Sequence, residues 1–283
     1  MGVNEMMSIR ERASQGRPLI MGILNVTPDS FSDGGRYGTI DAAVSRALVM
    51  VEEGADIIDV GGESTRPGSR RVSAEEQVER VIPVIQALCD RLPSSCLISI
   101  DTTLADVAEA AVRAGAGLIN DVSAGMDDPR ILSVAAELAV PIVLMHRQGT
   151  PESMQDDPRY SDVVGEVRAL LLDRIEAALS AGLSPDAIVL DPGIGFGKRK
   201  EHNLNLMAAL DVFVALGYPV LLGASRKRFM GAICQEQRPE ALLGATVATT
   251  ALGVMAGVQI FRVHDVQPNR QAADVTAAIR RSA

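Results

Sequence analysis

The sequence predicts an α/β protein, a closed (β/α)8 barrel of the TIM type in a single domain, and three observations support this prediction. The chain has 283 residues, close to the roughly 250 residues of one such barrel. Eight short, almost continuous apolar runs alternate with helix-length segments. Continuous apolar runs are typical of parallel strands that are buried on both faces. An open, doubly wound sheet is the alternative, because a count of strands does not prove that the sheet closes.

Each predicted strand is an apolar run, and most of them follow a glycine that ends a predicted helix. The eight predicted strands span residues 18–25, 55–60, 96–101, 117–121, 141–146, 187–191, 219–223 and 258–263. A glycine just past a helix provides the left-handed C-cap that turns the chain into the next strand. The predicted cap glycines are Gly54, Gly115, Gly182, Gly217 and Gly257. No linker or charge run divides the chain, so we predict an N-terminal extension over 1–17 and one barrel domain over 18–283.

The composition is that of a globular protein with a full core, since 47% of residues are hydrophobic and 22% are charged. The 27 Lys and Arg residues against 36 Asp and Glu residues give a formal net charge of −9, which argues against a broad binding surface for nucleic acid or anionic lipid. Three cysteines without CxxC spacing indicate free thiols in a reducing compartment, and we expect them to be buried. Residues 1–17 lack an apolar core of signal-peptide length. We therefore expect a cytoplasmic protein.

One uncharged stretch, residues 242–261, is long enough to cross a bilayer. Its threonines and glycines, and its β-like end at 258–261, favour a buried helix followed by a strand. We therefore predict no membrane partner for this segment.

Polar residues end nearly every predicted strand. In a parallel barrel these ends meet at one rim, which is where active sites lie. The residues are Asn25, Asp59, Asp101, Asn120, Asp121, His146, Asp191, Ser225, Arg262 and His264. A single Asp, Asn or Ser in such a place often only caps the next helix. The convergence of the whole set on one rim indicates a functional site.

Positive charge is concentrated in the predicted loops that follow strands six and seven, which contain all the lysines of the chain, Lys198, Lys200 and Lys227. In an acidic protein this placement predicts an anion site at the rim. The glycine-rich run 193–198 can present backbone N–H groups to such an anion. No Walker P-loop and no two-histidine zinc spacing occurs in the sequence. The oxygen-rich loop 25–35 suits Mg²⁺ held jointly with substrate phosphates.

Several sequence blocks together closely resemble the dihydropteroate synthase family of folate biosynthesis. In chain order they are GILNVTPDSFSDGG at 22–35, GGESTRPG at 61–68, IDT at 100–102, IND at 119–121, MH at 145–146, LDPGIGFGK at 190–198, GASRK at 223–227 and RVHD at 262–265. They extend over nearly the whole chain after residue 17. The resemblance implies a barrel that joins 6-hydroxymethyl-7,8-dihydropterin pyrophosphate to 4-aminobenzoate. The products would be 7,8-dihydropteroate and pyrophosphate.

The same resemblance implies roles for residues at matching positions. The implied catalytic residues, which also hold the pterin, are Asp101, Asn120, Asp191 and Lys227. The other implied contacts to the pterin are Met145, Phe196 and Gly223. The implied ligands of Mg²⁺ are Asn25 and Asp33, and the implied pyrophosphate contacts are Thr65, Arg66, Arg262 and His264. The implied 4-aminobenzoate site contains Phe31, Pro67, Ser225 and Lys227. The family also implies a homodimer formed through the late barrel helices.

Three other functions stay open on the sequence. The first is a methyltetrahydrofolate:corrinoid methyltransferase on a similar barrel, which would not need the cationic sets at 225–227 and 262–264. The second is a catalytically silent paralogue that binds a pterin or a phosphate, which the intact Asp101, Asp191, Lys227 and His264 disfavour. The third is a Schiff-base aldolase that uses Lys227, which the two flanking arginines disfavour.

Overall fold

The computed structural model describes residues 8–26, 35–63, 72–150, 153–154 and 156–282. Eight parallel strands alternate with helices along this part of the chain. They are β1 (Leu19–Asn25), β2 (Ile57–Gly61), β3 (Leu97–Asp101), β4 (Leu118–Asp121), β5 (Ile142–Met145), β6 (Ile188–Asp191), β7 (Leu221–Leu222) and β8 (Ile260–Val263). All eight coincide with predicted strands, although β7 is shorter than expected. Its beginning is irregular because Pro219 has no N–H group, and the Val220 N–H donates to the Gln259 side chain at 2.8 Å.

The sheet closes on itself. The order of hydrogen-bonded strands runs β6-β5-β4-β3-β2-β1-β8-β7, and a parallel bridge between Leu190 and Val220 joins its two ends. At this seam the Leu190 N–H donates to the Pro219 carbonyl at 2.9 Å. The prediction of a closed barrel is therefore confirmed, and the open sheet is excluded.

The helices surround this barrel. In the described residues they are α1 (Ile9–Ser14), α2 (Gly35–Glu52), α3 (Ala74–Arg91), α4 (Ala105–Arg113), α5 (Arg130–Glu137), α6 (Val163–Ser180), α7 (Lys200–Ala208), α8 (Leu210–Val214), α9 (Arg228–Cys234), α10 (Leu243–Ala256) and α11 (Val266–Ser282). Short 3-10 turns lie at Pro185–Ala187 and Pro239–Leu242. All five predicted cap glycines have φ between 81° and 120°, the left-handed region in which glycine is favoured.

The N-terminal end of the barrel is covered by α1, which the sequence analysis did not predict. The Ile9 side chain packs into an apolar cluster in the interior of the barrel. Every strand except β3 contributes a fully or nearly fully buried residue to this cluster. Arg12 also donates to the Ser95 carbonyl at 2.8 Å, just before β3. The sequence signal was the capping box in which Ser8 and Glu11 each accept a backbone N–H of the other.

The uncharged stretch near the C-terminus forms α10 and then β8. Among the described residues, Pro239–Ala256 is the one segment long and apolar enough to cross a membrane. The strand that follows it pairs with both β1 and β7, so the predicted helix and strand are both present, but the expectation that the helix is buried is wrong. Only 33% of the segment is buried, and α10 therefore places apolar surface on the outside of the barrel.

The three cysteines are free, as predicted, but the expectation that they are buried is wrong. Cys89 and Cys234 are exposed, and Cys96 is partly buried. Cys89 lies on the outer side of α3, and Cys234 is the last residue of the short helix α9. Both therefore lie away from the faces that the helices turn towards the barrel.

Candidate active site

A cavity of about 560 Å³ lies among residues at the carboxyl ends of the strands, a volume within the range of small-molecule sites. Seven predicted site residues line it: Asn25, Phe196, Gly223, Ser225, Lys227, Arg262 and His264. They come from β1, β8 and the segments that follow β6 and β7. The barrel therefore brings together residues that are far apart in the chain.

A buried polar network forms part of one wall of this cavity. Arg262 donates from Nε to Asp59 Oδ2 and from Nη2 to Asp101 Oδ2, both at 2.6 Å. Asn120 donates from Nδ2 to the same Asp59 oxygen at 2.9 Å. Asp59, Asp101 and Asn120 are at most 4% exposed. Because the network bonds are charge-assisted and shielded from water, they fix the orientation of these side chains strongly.

Two carboxylate oxygens of the network, Asp59 Oδ1 and Asp101 Oδ1, are buried and have no hydrogen-bond partner among the described residues. Burial, with a smaller contribution from the nearby Asp59 carboxylate, outweighs the opposing charge of Arg262 and raises the pKa of Asp101 to about 7. Buried acceptors without partners are rare and costly. The Asp101 carboxylate is therefore suited to accept a hydrogen bond from a ligand or to face a positive charge on one.

Asp191 and Lys227 provide a second pair of opposite charges. Asp191 Oδ1 accepts the Gly193 N–H at 2.7 Å, and burial raises the pKa of this carboxyl to about 6. Burial, together with the charge of Arg262, lowers the pKa of Lys227 to about 8. The Lys227 ammonium lies 4.1 Å from the centre of the Phe196 ring, which is a cation–π distance.

The other side of the cavity contains a hydroxyl and an imidazole. Ser225 Oγ lies 3.0 Å from His264 Nδ1 and accepts the His264 backbone N–H at 3.3 Å. Between Ser225 and Lys227, Arg226 has a φ of 58° and makes a two-fold ion pair with Asp265. The Arg226 backbone N–H donates to Thr246 on α10 at 3.1 Å. The loop that presents Ser225 and Lys227 is thus anchored to α10 and to the end of β8.

The chain matches the model of a family described as pterin binding enzyme over residues 21–264. It is 49% identical over 251 residues to the dihydropteroate synthase of Bacillus subtilis, which covers 89% of this chain and 85% of that protein. The chain belongs to the dihydropteroate synthase family. It is therefore a transferase of folate biosynthesis.

Solved structures of family members have the same fold. The dihydropteroate synthase of Xanthomonas albilineans with 4-aminobenzoic acid has a TM-score of 0.87 and is 46% identical, covering 93% of each chain. The same enzyme in complex with 7,8-dihydropteroate has a TM-score of 0.83 at 43% identity, covering 93% of this chain and 94% of that one. The structural agreement extends over nearly the whole barrel.

Within this dihydropteroate synthase fold, Lys198 has a different place from the one that the sequence analysis gave it. We expected a rim cation for an anionic ligand, but Lys198 is 3% exposed. Its ammonium lies 2.9 Å from His146 Nδ1 and donates to the carbonyls of Gly193 at 2.8 Å and Phe196 at 3.0 Å. Burial lowers the pKa of Lys198 to about 7. Lys198 therefore fastens its own loop at the edge of the cavity, which it also lines.

The backbone N–H groups of the glycine-rich run 193–198 are also engaged within the protein. Gly193 N–H donates to Asp191, and Gly195 N–H donates to Asn203 Oδ1 at 2.7 Å. Phe196 N–H donates to the Gly193 carbonyl at 3.2 Å. Three N–H groups of the run are therefore used within the protein. The run is a rigid turn that holds the Phe196 ring.

Two more rim residues prove to be structural. Asp121 accepts the backbone N–H groups of Ser123 and Gly125 and so closes the turn after β4. The His146 imidazole contacts Lys198, and burial together with that ammonium lowers its pKa to about 3. Of the remaining predicted residues, Met145 packs beside Phe196 in a small apolar cluster.

Five predicted residues lie outside the described part of the chain: Phe31, Asp33, Thr65, Arg66 and Pro67. The family resemblance gave no role to two rim residues that the structure joins to the site, Asp59 and Lys198. A carboxylate within the otherwise apolar run Ile57-Ile58-Asp59-Val60 was the available signal for Asp59. For Lys198, nothing in the sequence distinguished a fastening role from ligand binding.

Proposed function

We propose that the cavity carries out the dihydropteroate synthase reaction, with the dihydropterin ring held by Asp101, Asn120, Asp191 and Lys227. The observation that supports this most strongly is the buried network in which Arg262 bonds Asp101 and Asp59, and Asp59 bonds Asn120. Arg262 lines the same cavity as the Phe196 ring. A planar heterocycle with donors and acceptors on its edge needs fixed polar partners in its plane and apolar contacts for its faces. The network and the wall meet both needs.

The two faces of the ring are assigned to apolar and small residues. Phe196 and Met145 belong to one apolar cluster, and Gly223 lines the cavity without a side chain. A Cβ atom at Gly223 would lie 3.8 Å from Asp191 Oδ2. Glycine at this position therefore leaves the Asp191 carboxylate accessible to the ring edge.

The pyrophosphate group is assigned to Arg262 and His264, with Thr65 and Arg66 as further contacts that stay predictions from the sequence. Arg262 uses Nε and Nη2 for the two aspartates, and among the described residues no hydrogen bond uses Nη1. Nη1 is therefore the donor that remains for a phosphate oxygen. His264, held at Ser225, supplies a second N–H donor at the same side of the cavity.

The 4-aminobenzoate site is assigned to Ser225 and Lys227, together with Phe31 and Pro67 from the sequence. The Xanthomonas albilineans structures contain 4-aminobenzoic acid in one case and 7,8-dihydropteroate in another. A hydroxyl and an ammonium in one loop suit a carboxylate, and the Phe196 ring offers an aromatic surface. This arrangement aims the amine of the substrate towards the ring pocket.

In the proposed reaction the C–O bond between the pterin methylene and pyrophosphate breaks, and pyrophosphate leaves with the electron pair. The lone pair of the arylamine then forms the new C–N bond, and the nitrogen loses a proton. An aryl ammonium is acidic, so the amine is already free at neutral pH and needs no strong base. Asp101 and Asp191 stabilise the positive charge that develops on the pterin, and Arg262 and His264 neutralise the leaving group. Electrostatics and positioning therefore dominate the catalysis.

Mg²⁺ is the proposed cofactor, with Asn25 and Asp33 as its protein ligands. The described residues contain no group of three or more His, Cys, Asp or Glu side chains that could hold a metal ion. A cation bound here would therefore depend on substrate phosphates and water for most of its ligands, which is the usual manner of Mg²⁺. The Asn25 side chain lines the cavity beside His264 and Arg262 and fits such a site. When bound, Mg²⁺ neutralises charge on the departing pyrophosphate.

A homodimer in the cytoplasm completes the proposal. Helices α10 and α11 pack against each other and expose large apolar side chains. The most exposed are Leu252 at 60%, Met255 at 52%, Val275 at 60% and Ile279 at 57%. Apolar groups on neighbouring helices are typical of subunit interfaces. They support a dimer formed through the late barrel helices.

Pyrophosphate release by the purified protein tests the proposal. The substrate is dihydropterin pyrophosphate, offered with and without 4-aminobenzoate and Mg²⁺. We expect release that depends on both additions. Pterin binding without release would contradict the synthase reaction and favour a silent paralogue.

A further inference from the structure

Asp59 is a buried carboxylate that contacts two proposed substrate residues at once. It lies in the middle of β2, is 0% exposed, and does not line the cavity. A single oxygen, Oδ2, accepts from Arg262 Nε at 2.6 Å and from Asn120 Nδ2 at 2.9 Å. Of these two neighbours, Arg262 lines the cavity, and Asn120 is buried beside Asp59.

The orientation of Arg262 depends on two carboxylates. Nε and Nη2 form one edge of the planar guanidinium group, and Asp59 and Asp101 each accept from one of these nitrogens. Burial alone would lower the pKa of Arg262, but these two carboxylates outweigh burial and raise it. With that edge held at both ends, the group cannot rotate in its plane. The opposite side, which bears Nη1, keeps a fixed direction.

The orientation of Asn120 is tied to the same oxygen. An amide that donates from Nδ2 to a carboxylate keeps its carbonyl oxygen on the other side. Asp59 thereby determines on which side the Asn120 amide presents its acceptor oxygen and on which side its donor nitrogen. A neutral residue at position 59 would no longer favour this orientation of the amide.

We propose that Asp59 is a positioning residue that sets the spacing between the two halves of dihydropterin pyrophosphate. Through Asn120 it orients a ring contact, and through Arg262 it orients a pyrophosphate contact. Without Asp59, Arg262 would keep one carboxylate partner instead of two and would swing about that contact. This inference rests on the proposed assignment of the ring to Asn120 and of the pyrophosphate to Arg262.

The Asp59→Asn variant tests the inference with little change of shape. We expect the KM for dihydropterin pyrophosphate to rise about tenfold or more, the effect of losing a hydrogen bond to a charged group. We expect the KM for 4-aminobenzoate to stay within about twofold, because neither Ser225 nor Lys227 contacts Asp59. Calorimetry with inorganic pyrophosphate and with 6-hydroxymethylpterin should show both ligands weakened. An unchanged KM for dihydropterin pyrophosphate would overturn the proposal.

Ser99→Ala is the matched control. Ser99 is paired with Asp59 in the strand register and is 0% exposed. Its hydroxyl has no hydrogen-bond partner in the part of the chain that the structure describes. Replacing it alters the same buried layer without touching Arg262 or Asn120. We expect KM values like those of the wild type. If the KM for dihydropterin pyrophosphate rose as much as in Asp59→Asn, both effects would come from a general disturbance of the barrel, and the proposal would be overturned.

A double-mutant cycle separates positioning from a merely structural role. If Asp59 acts through Arg262, adding Asp59→Asn to Arg262→Gln should weaken pyrophosphate binding by less than about twofold further. Full additivity of the two effects would contradict this route. Should Asp59→Asn fail to fold, Asp59→Glu provides a second test. Glutamate keeps the charge but moves the carboxylate oxygens away from Arg262 Nε and Asn120 Nδ2, so pyrophosphate binding should still weaken, and wild-type binding would overturn the inference.

Failure of the positioning role can be distinguished from failure of the proposed function. If the wild-type protein releases no pyrophosphate in the presence of 4-aminobenzoate and Mg²⁺, the proposed function is wrong. If the wild type is active and the Asp59→Asn variant keeps its KM, only the positioning role is wrong.

Discussion

At the scale of single residues, Asp101 has the most direct part in the proposed chemistry. It shares Arg262 with Asp59 and keeps one buried oxygen without a partner. Burial makes its ionised form costly, so the carboxylate gains most when a positive charge comes close. A cation that develops on the pterin supplies that charge at the moment when the C–O bond breaks.

Replacing Asp101 by Asn should therefore impair turnover more than binding. We expect kcat to fall about a hundredfold, as when one stabilising group of a charged transition state is removed, whereas the affinity for the pterin falls much less. Steady-state kinetics and calorimetry with the pterin substrate measure the two quantities. An unchanged kcat would rule out the role of Asp101 in stabilising the cation.

The pH dependence of kcat/KM should be bell-shaped. The pKa of Asp101 is raised to about 7 by burial, so the required anion forms, and activity rises, as the pH increases through 7. The pKa of Lys227 is lowered to about 8 by burial, so its cation is lost, and activity falls, above pH 8. A pH profile of the wild type and of Lys227→Arg measures both limbs. The arginine stays charged, and its profile should lack the alkaline limb; persistence of that limb would exclude Lys227 as its origin.

At the scale of structural elements, the run 193–198 shows how a loop becomes a rigid wall. Lys198 binds two carbonyls of the run, Asn203 accepts the Gly195 N–H, and Tyr160 donates to the Gly197 carbonyl at 2.9 Å. Side chains from outside the run, and Lys198 at its end, thus provide the backbone hydrogen bonds that regular secondary structure would otherwise provide. This bonding fixes the Phe196 ring beside Lys227.

The Lys198→Met variant should destabilise the protein by about 2–4 kcal/mol, because buried carbonyls lose their donor. It should also raise the KM for the pterin substrate by displacing Phe196. Urea unfolding and steady-state kinetics measure these effects. Lys200→Met is the matched control, since Lys200 is 45% exposed and pairs only with Glu201 among the described residues; it should stay within about 0.5 kcal/mol of the wild type. Equal losses in both variants would contradict the fastening role.

The cap glycines allow a cleaner test of backbone conformation. Gly217 has a φ of 81°, and a Cβ atom added there would meet nothing within 4 Å. Gly217→Ala should therefore cost about 1 kcal/mol for conformational reasons alone. Gly244 in α10 has equally open surroundings but no positive φ, and Gly244→Ala should stabilise by up to about 1 kcal/mol. Thermal unfolding compares the two, and a loss of stability in both variants would refute this account.

At the scale of the whole molecule, the outer surface of α10 and α11 stands apart from the other helices. The exposed large apolar side chains on these two packed helices include Leu252, Met255, Val275 and Ile279. The same α10 anchors the loop of Ser225 and Lys227 through Thr246. Burying this surface in a dimer would therefore also stiffen one side of the site.

Light scattering at micromolar concentration should give the mass of a dimer for the wild type. The double variant Leu252→Lys with Ile279→Lys should be a monomer, because burying two charges at the interface is unfavourable. Leu204→Lys, at an apolar residue of α7 that is 40% exposed, is the control and should leave the dimer intact. A monomeric wild type would contradict the proposed assembly.

The sequence by itself determined the features that depend on local chemistry. The continuous apolar runs predicted the strands, single glycines predicted the helix ends, and polar residues at the strand ends predicted the rim. The tertiary structure decided what depends on contacts across long stretches of chain. Asp59 and Arg262 are 203 residues apart, and Lys198 and His146 are 52 residues apart. A buried charged side chain bonds another protein group when the fold brings that group within hydrogen-bond distance, and otherwise it can bond a ligand. For residues so far apart in the chain, these distances are set only when the barrel closes.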